Sequence, residues 1–173
     1  MSRQKSRNLD LDTMSAVQVD GGLSDWFATV VGVLQGCILS PLLFNIFLES
    51  VMALVLDGNK IGADINGHCI SNLRFADDIS LMAGSTDDLQ QSVNKVYITS
   101  DKFGLNISST KTEVQCIGRE RQEMKIMLGN NELVQCEDFI YLGGVISQDS
   151  TCDKDVVRRI GLAAGIVRNL GKV

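Results

Sequence analysis

Two carboxylates, Asp77 and Asp78, stand side by side in the stretch RFADDISL, residues 74–81. Their flanks are apolar: Leu73, Phe75 and Ala76 come before, Ile79, Leu81 and Met82 after. Such a run reads as a strand pair packing into a core, where a lone carboxylate is costly. Two adjacent anions about 4 Å apart repel by about 4 kcal/mol at an effective dielectric near 20. A divalent cation with hard oxygen ligands would turn that repulsion into attraction. Two such ions about 4 Å apart can hold the attacking and leaving oxygens of a phosphoryl transfer. Taken alone, the pair also fits an ordinary turn, because aspartate bonds nearby backbone N–H groups. The other metal-binding residue types are scattered. Cys37, Cys69, Cys116, Cys136 and Cys152 form no CxxC pair and His68 is the one histidine, so a zinc site is not expected. Dispersed thiols fit a reduced, intracellular setting, nuclear or cytoplasmic.

The elements around the pair explain how it would be placed. Asn66-Gly67, between apolar-rich segments, is the strongest hairpin signal in the chain. It predicts a strand over 68–75 leading into the aspartates, and 79–84 (ISLMAG) returning from them. The pair then sits at a tight turn between strands. Upstream, Ser40 is a good N-cap and Pro41 suits the first helical position, so a helix is predicted over 41–56, ending at Asp57-Gly58. Leu42, Leu43, Phe44, Ile46, Phe47, Leu48, Val51, Met52 and Val55 cover most of its circumference, which predicts a largely buried helix packed on the hairpin's sheet. Asn45 and Glu49 form its narrow polar stripe. Ser85 or Thr86 caps a second helix that Gly104 ends, with Asp87 and Asp88 favourable to its dipole. Residues 15–33 predict two strands joined at Asp20-Gly21-Gly22, and a further turn falls at Gly129-Asn130-Asn131. From Cys152 onward a helix is predicted to the end.

The strands come as antiparallel hairpins between helices, which favours an α+β fold, an antiparallel sheet with helices on one face. With 173 residues, 45% of them hydrophobic, the chain is long enough for one domain with a real core. The expected organisation is a loose polar stretch over 1–14, a body over 15–149 and a closing helical segment over 150–173. A net charge of −5 argues against a chain coated in basic charge, yet a local basic face is enough for phosphate contacts. The opening MSRQKSRNLD lacks an apolar signal core, and Asn45, Glu49 and Ser50 break the longest apolar run, so no membrane association is expected.

Four segments in order carry a resemblance. GVLQGCILSPLLFNIFLE (32–49) resembles motif B of reverse transcriptases, especially those of non-LTR, LINE-type retrotransposons. FADD (75–78) resembles their Y/F-x-D-D box, KTEV (111–114) their motif D, and FIYLGGVIS (139–147) the primer-grip hairpin. DVVRRIGLAAGIVRNLGKV (155–173) resembles the start of a thumb helix. Each tetrapeptide alone is weak, while four with family-like separations make a strong signal that reaches from about Ala16 to the C-terminus. The resemblance implies a partial polymerase palm, motifs B to E, with the root of a thumb. It implies Mg²⁺ as cofactor and RNA template, DNA primer and deoxynucleotide as partners of the complete enzyme.

The same resemblance assigns roles. Asp77 would be the main metal ligand and Asp78 its weaker neighbour. Gln35, Gly36 and Phe75 would lie along the template and incoming nucleotide. Lys111 would stand near the triphosphate and protonate the leaving pyrophosphate; a solvated lysine at a strand edge fits it equally. Tyr141, Leu142 and Gly143 would hold the primer end, and core packing is a rival for Tyr141 and Leu142. The departures are Leu34 where the family usually has Arg, Ile38 where Pro is frequent, and Ser108 where Asn is usual. The motif A aspartate has no counterpart: Asp10, Asp12, Asp20 and Asp25 are the upstream acids, and none stands in an apolar strand. The expectation is therefore a palm segment without fingers or motif A, which would fit a missing fingers and palm portion and would not act alone. A non-catalytic, degenerate or co-opted module that binds nucleic acid or protein is the alternative. An RNA-templated RNA polymerase fits the QG…LSP segment and the alanine before the aspartates less well.

One feature is independent of the resemblance. On a helical wheel Val156, Ile160, Ala163, Val167 and Leu170 share one side of the last helix, and Lys154, Arg158, Arg168 and Lys172 the other. The basic side reads as a solvated face or as a stripe contacting phosphates. Gly161 and Gly165 each cost about 1 kcal/mol within a helix, which close approach to a nucleic-acid backbone or another helix would explain.

Overall fold

The computed structural model describes residues 3–7, 13–19, 21–29, 38–56, 61–118 and 122–170, and the chain divides into two compact units, Met1–Leu48 and Glu49–Val173. In the first unit β2 (Thr13–Val19) is central. It pairs antiparallel with β1 (Arg3–Arg7), with β3 (Gly22–Leu23) and with β4 (Phe27–Thr29). Gly21, at φ 85°, makes the turn expected between β2 and β3. The expected loose polar stretch over 1–14 instead contains β1, because ladder hydrogen bonds use main-chain groups and do not need apolar side chains. Helix α1 (Ser40–Leu56) begins in this unit and ends in the second.

The strands of the second unit pair mostly as short hairpins. β5 (Ala63–Ile65) and β6 (His68–Ile70) are joined by Asn66 and Gly67, whose φ values of 53° and 78° are those of a type I′ turn. The Gly67 N–H donates to Asp64 Oδ1 at 3.0 Å, which fixes the turn. The strand expected over 68–75 is interrupted at Ser71, so β7 (Asn72–Phe75) is separate and pairs with β8 (Asp78–Leu81). Glycine is needed at Gly62, just before β5: a Cβ there would stand 2.9 Å from the Ile70 backbone and 2.5 Å from Cys69 Sγ.

Helix α2 (Thr86–Lys102) has both ends satisfied. The Asp88 N–H donates to Ser85 Oγ at 3.2 Å, and Ser85 Oγ donates to Asp88 Oδ2 at 2.8 Å, so the cap is reciprocal. At the other end Leu105 N–H reaches Ser100 O and Gly104 N–H reaches Asp101 O, with Gly104 at φ 72°, the pattern of a Schellman motif. Val93 of α2 packs with Val114, Ile126, Leu128 and Leu133 to form the core, and Leu81, Leu89, Ile107 and Met124 close around it.

After α2 come β9 (Glu113–Val114), β10 (Met127–Leu128), β11 (Asn131–Glu132), β12 (Val134–Gln135), β13 (Asp138–Tyr141), β14 (Gly144–Ser147) and α3 (Asp153–Leu170). β10 and β11 turn at Gly129, as expected, and β9 pairs parallel with β12. The class is α+β, but among the described residues the strands of this unit form separate two-stranded ribbons, not one continuous sheet. Strands of two to four residues offer few ladder bonds to further neighbours, and glutamine side chains take that place. Gln90 brackets Met127, accepting from its N–H at 2.7 Å and donating to its carbonyl at 2.8 Å. Gln135 does the same between Met124 N–H and Gln122 O. Gln115 donates to Glu137 O and Ile146 O.

Helix α1 is less buried than its composition predicts. Val51, Met52 and Val55 are buried, but Leu42, Leu43, Ile46 and Leu54 are each more than half exposed. The contacts of its second half to the rest of the unit are partly polar: Lys95 Nζ of α2 donates to Val55 O at 3.0 Å, a cation on the helix C-terminus. The expected stop at Asp57-Gly58 lies outside the described residues.

Candidate active site

The aspartates occupy the tip of the β7–β8 ribbon. Phe75 faces Asp78 across the ladder, so Ala76 and Asp77 form a two-residue turn, and the return strand starts at Asp78, one residue before the expected Ile79. Ala76 takes a left-handed φ of 52°. A Cβ-bearing residue there costs about 1–2 kcal/mol, so the turn is strained at the point that sets the spacing of the two carboxylates. Alternation along the ribbon puts Asn72, Arg74, Ile79 and Leu81 towards the protein. Leu73, Phe75 and Asp78 point outward, with Phe75 62% exposed. Asp77 and Asp78 are both exposed. The burial cost suggested by their apolar flanks therefore does not arise, because of the apolar residues in β7 and β8 only Ile79 and Leu81 turn inward, while Leu73, Phe75 and the tip itself are exposed.

Arg74 anchors the ribbon. Its Nη1 lies 2.8 Å from Glu49 Oε2 on α1, and Nη2 lies 3.5 Å from Oε1. The polar stripe of α1 thus has a partner on β7, the strand that leads into the aspartate turn. No sequence spacing announces a pair 25 residues apart.

Lys111 is exposed in a turn after α2, where its N–H and that of Thr112 both donate to Ser108 O. Thr112 Oγ1 donates to the same carbonyl at 2.8 Å. Ser108, at the position where the resemblance expects Asn, therefore organises the Lys111 turn through its backbone. Gln35, Gly36 and Lys172 lie outside the described residues.

Tyr141, Leu142 and Gly143 form the tip of the β13–β14 ribbon. Tyr141 pairs with Gly144, and Leu142 and Gly143 take φ 48° and 83°, a type I′ turn with leucine where asparagine is usual. Tyr141 is half-buried and Leu142 exposed. Helix α3 lies against this ribbon by its polar side. Lys154 Nζ is 2.7 Å from both Asp138 oxygens, Asp155 Oδ1 accepts from Val145 N–H at 2.9 Å, and Arg158 Nη1 donates to Gly143 O at 2.8 Å. Arg159 Nε is 2.7 Å from Asp155 Oδ2. Arg168 is exposed. The apolar side, with Val156, Ile160, Val167 and Leu170, is exposed, the reverse of what amphipathicity predicts. The hydrogen-bonding groups of the ribbon edge and tip need partners, and the helix's polar face supplies them.

The charges follow this geometry. Lys154 holds the Asp138 carboxyl below the ordinary range, and Asp138 raises Lys154 in return. Val145 N–H and then Arg159 lower Asp155. Burial and then Glu113 push the Cys136 thiol up to about 11, which removes it as a nucleophile at neutral pH. Among the described residues no cluster of three histidine, cysteine or acidic side chains could hold a metal ion. Asp77 and Asp78 suit a hard divalent cation by their oxygen chemistry and exposure.

Comparison with known proteins gives this geometry a context. The profile of the family described as reverse transcriptase (RNA-dependent DNA polymerase) matches residues 4–146. The chain belongs to the reverse transcriptase family. It is 30% identical over 138 residues to the Pol polyprotein of the type-1 retrotransposable element R2 of Nasonia vitripennis, covering 69% of this chain and 13% of that protein. It is 28% identical over 134 residues to the Pol polyprotein of the type-2 element R2DM of Drosophila melanogaster, covering 72% and 12%. A transposon-derived protein of Caenorhabditis elegans is 29% identical over 99 residues, covering 55% and 35%. The chain is thus a reverse transcriptase segment of the non-LTR kind and spans about an eighth of the length of its R2 relatives. The family as a whole depends on divalent metal and acts on nucleic acid. Among the described residues no helix is long and apolar enough to cross a membrane.

Proposed function

We propose that the chain is the part of a reverse transcriptase palm that supplies two of the metal-binding carboxylates and the primer-end hairpin for RNA-templated DNA synthesis. The observation that carries the reading is the position of Asp77 and Asp78, solvent-facing and adjacent at a two-residue hairpin tip in a member of this family. The metal is Mg²⁺, which neutralises charge on the transferring phosphoryl group when bound. Asp77 is its principal ligand here and Asp78 the secondary one. Phe75, apolar and exposed beside Asp78, offers a surface to a nucleotide base or sugar, with Gln35 and Gly36 along the template strand. Lys111 faces the triphosphate and carries a proton to the leaving pyrophosphate. Tyr141, Leu142 and Gly143 bear on the primer end. The partners are an RNA template, a DNA primer and a deoxynucleotide.

The 173-residue chain by itself extends no primer, because two carboxylates do not complete a two-ion cage and Mg²⁺ requires near-ideal octahedral geometry. The test is primer extension on an RNA template with Mg²⁺ and with Mn²⁺, comparing the chain with Asp77→Asn. No extension by either is expected. Template-dependent extension that Asp77→Asn abolishes would mean a third ligand is present, to be sought among Asp10, Asp12, Asp20 and Asp25.

A further inference from the structure

Arg158 was one of four basic residues that could track phosphates, and its contacts give it a different task. Asp155 and Arg158 are the half-buried residues of α3 among those described, and both bond the β13–β14 ribbon. Three contacts run along the ribbon's length. Lys154 binds Asp138 at its base, Asp155 accepts from Val145 in mid-strand, and Arg158 donates to the Gly143 carbonyl at the tip. The tip is the strained part of this ribbon. Leu142 occupies the left-handed region, where an L side chain is disfavoured. Among the described residues the ribbon is a two-stranded sheet with no third strand beside it. A guanidinium bond to a carbonyl is charge-assisted and stronger than a neutral one.

We infer that Arg158 is a positioning residue: its bond to the Gly143 carbonyl locks the Leu142–Gly143 turn onto α3 and so fixes the surface offered to a primer 3′-end. This rests on the reading that the tip holds a primer end. The helix and ribbon then move as one body, and displacement of α3 carries the tip with it. Arg158 acts through Gly143 and makes no phosphate contact. Lys154 and Asp155 set the helix on the ribbon, and Arg158 alone among them reaches the turn.

The two roles differ in salt dependence and end preference. The experiment measures binding of the full chain, by fluorescence anisotropy over a range of salt, to two probes of equal length. One is a DNA primer recessed on an RNA template, the other a blunt RNA–DNA duplex. Wild type is expected to prefer the recessed end. Arg158→Gln should reduce that preference about five- to tenfold, leave blunt-duplex affinity and the salt slope unchanged, and shift the amide resonances of Leu142, Gly143 and Gly144. Arg158→Lys, which retains one donor able to reach the carbonyl, should restore much of the preference.

Equal loss on both probes, with the salt slope reduced by about one contact, would make Arg158 a phosphate ligand and overturn the inference. Unchanged end preference in Arg158→Gln would overturn it as well. If wild type does not distinguish the two probes, the primer-end reading itself fails, and the role of Arg158 falls with it. Circular dichroism on each variant establishes that the chain is folded, and Arg158→Lys carries the comparison should Arg158→Gln unfold.

Discussion

Replacing Gln90 by alanine should destabilise the second unit by about 2 kcal/mol, because one side chain satisfies both main-chain groups of Met127. Its bonds are 2.7 Å from Met127 N–H and 2.8 Å to Met127 O. A net contribution of about 1 kcal/mol per hydrogen bond gives about 2 kcal/mol for the pair. Met127 is only half-buried, so water relieves part of the additional cost of leaving its groups unpaired. Alanine also favours the helix by a few tenths of a kcal/mol. Gln91→Ala, at an exposed neighbouring position of the same helix, supplies that correction. Against a total stability of about 5–15 kcal/mol the loss is substantial. With a urea m-value of about 2 kcal/mol per molar, the midpoint should fall by about 1 M relative to Gln91→Ala. Coincidence of the two variants within about 0.5 kcal/mol would refute the idea that glutamine side chains stand in for absent strands.

Three further outcomes are expected. Gly62→Ala should cost about 1–3 kcal/mol through overpacking, since the new Cβ meets the Ile70 backbone at 2.9 Å, and thermal melting at wild-type temperature would contradict it. Ala76→Gly should stabilise the aspartate ribbon by about 0.5–1 kcal/mol, the relief of a left-handed alanine less the greater freedom of glycine when unfolded; a lower urea midpoint would show that Ala76 is not left-handed. Docking of α3 on the β13–β14 ribbon should depend on pH at both extremes. Asp138, Asp149 and Asp155 are lowered from 3.8, by Lys154, by the Thr151 N–H and hydroxyl, and by Val145 N–H respectively. Their stabilisation is complete above that value and is lost as pH falls through the depressed folded values. Lys154 is raised from 10.5 by Asp138, so its share is complete below that value and lost as pH rises through the folded one. Amide shifts of Val145 and Gly143 should stay constant between about pH 5 and 9, and release within that range would count against the Lys154–Asp138 pairing.

Features governed by local chemistry were legible in the sequence. Asn66-Gly67, the Ser85 cap and the Gly104 stop each act over a few residues, and each stands where its residue types require. The aspartate turn was legible for the same reason, apart from one residue of strand. Features that depend on which surfaces meet were not. The composition of α1 says that it is apolar nearly all round, but not how much of that surface another element covers. The wheel of α3 separates an apolar from a basic side without saying that Asp155 and Arg158 would face the ribbon. Glutamine carries no pattern that marks Gln90, Gln115 and Gln135 as backbone partners, because their acceptors and donors lie 11–37 residues away. The Arg74–Glu49 pair, which seats the aspartate ribbon on α1, is likewise a long-range fact.

The central claim is that Asp77 and Asp78 form part of a divalent-metal site. Paramagnetic broadening by Mn²⁺, a stand-in for Mg²⁺ with a readout independent of catalysis, tests it most directly. In a titration of the isotope-labelled chain, the amides of Ala76, Asp77 and Asp78 should broaden first, at millimolar metal, as befits a partial ligand set. The effect should be lost in Asp77→Asn and weakened in Asp78→Asn. Broadening that is uniform over the surface, or strongest at Glu137, Asp138 and Asp149 around Lys154, would contradict the account.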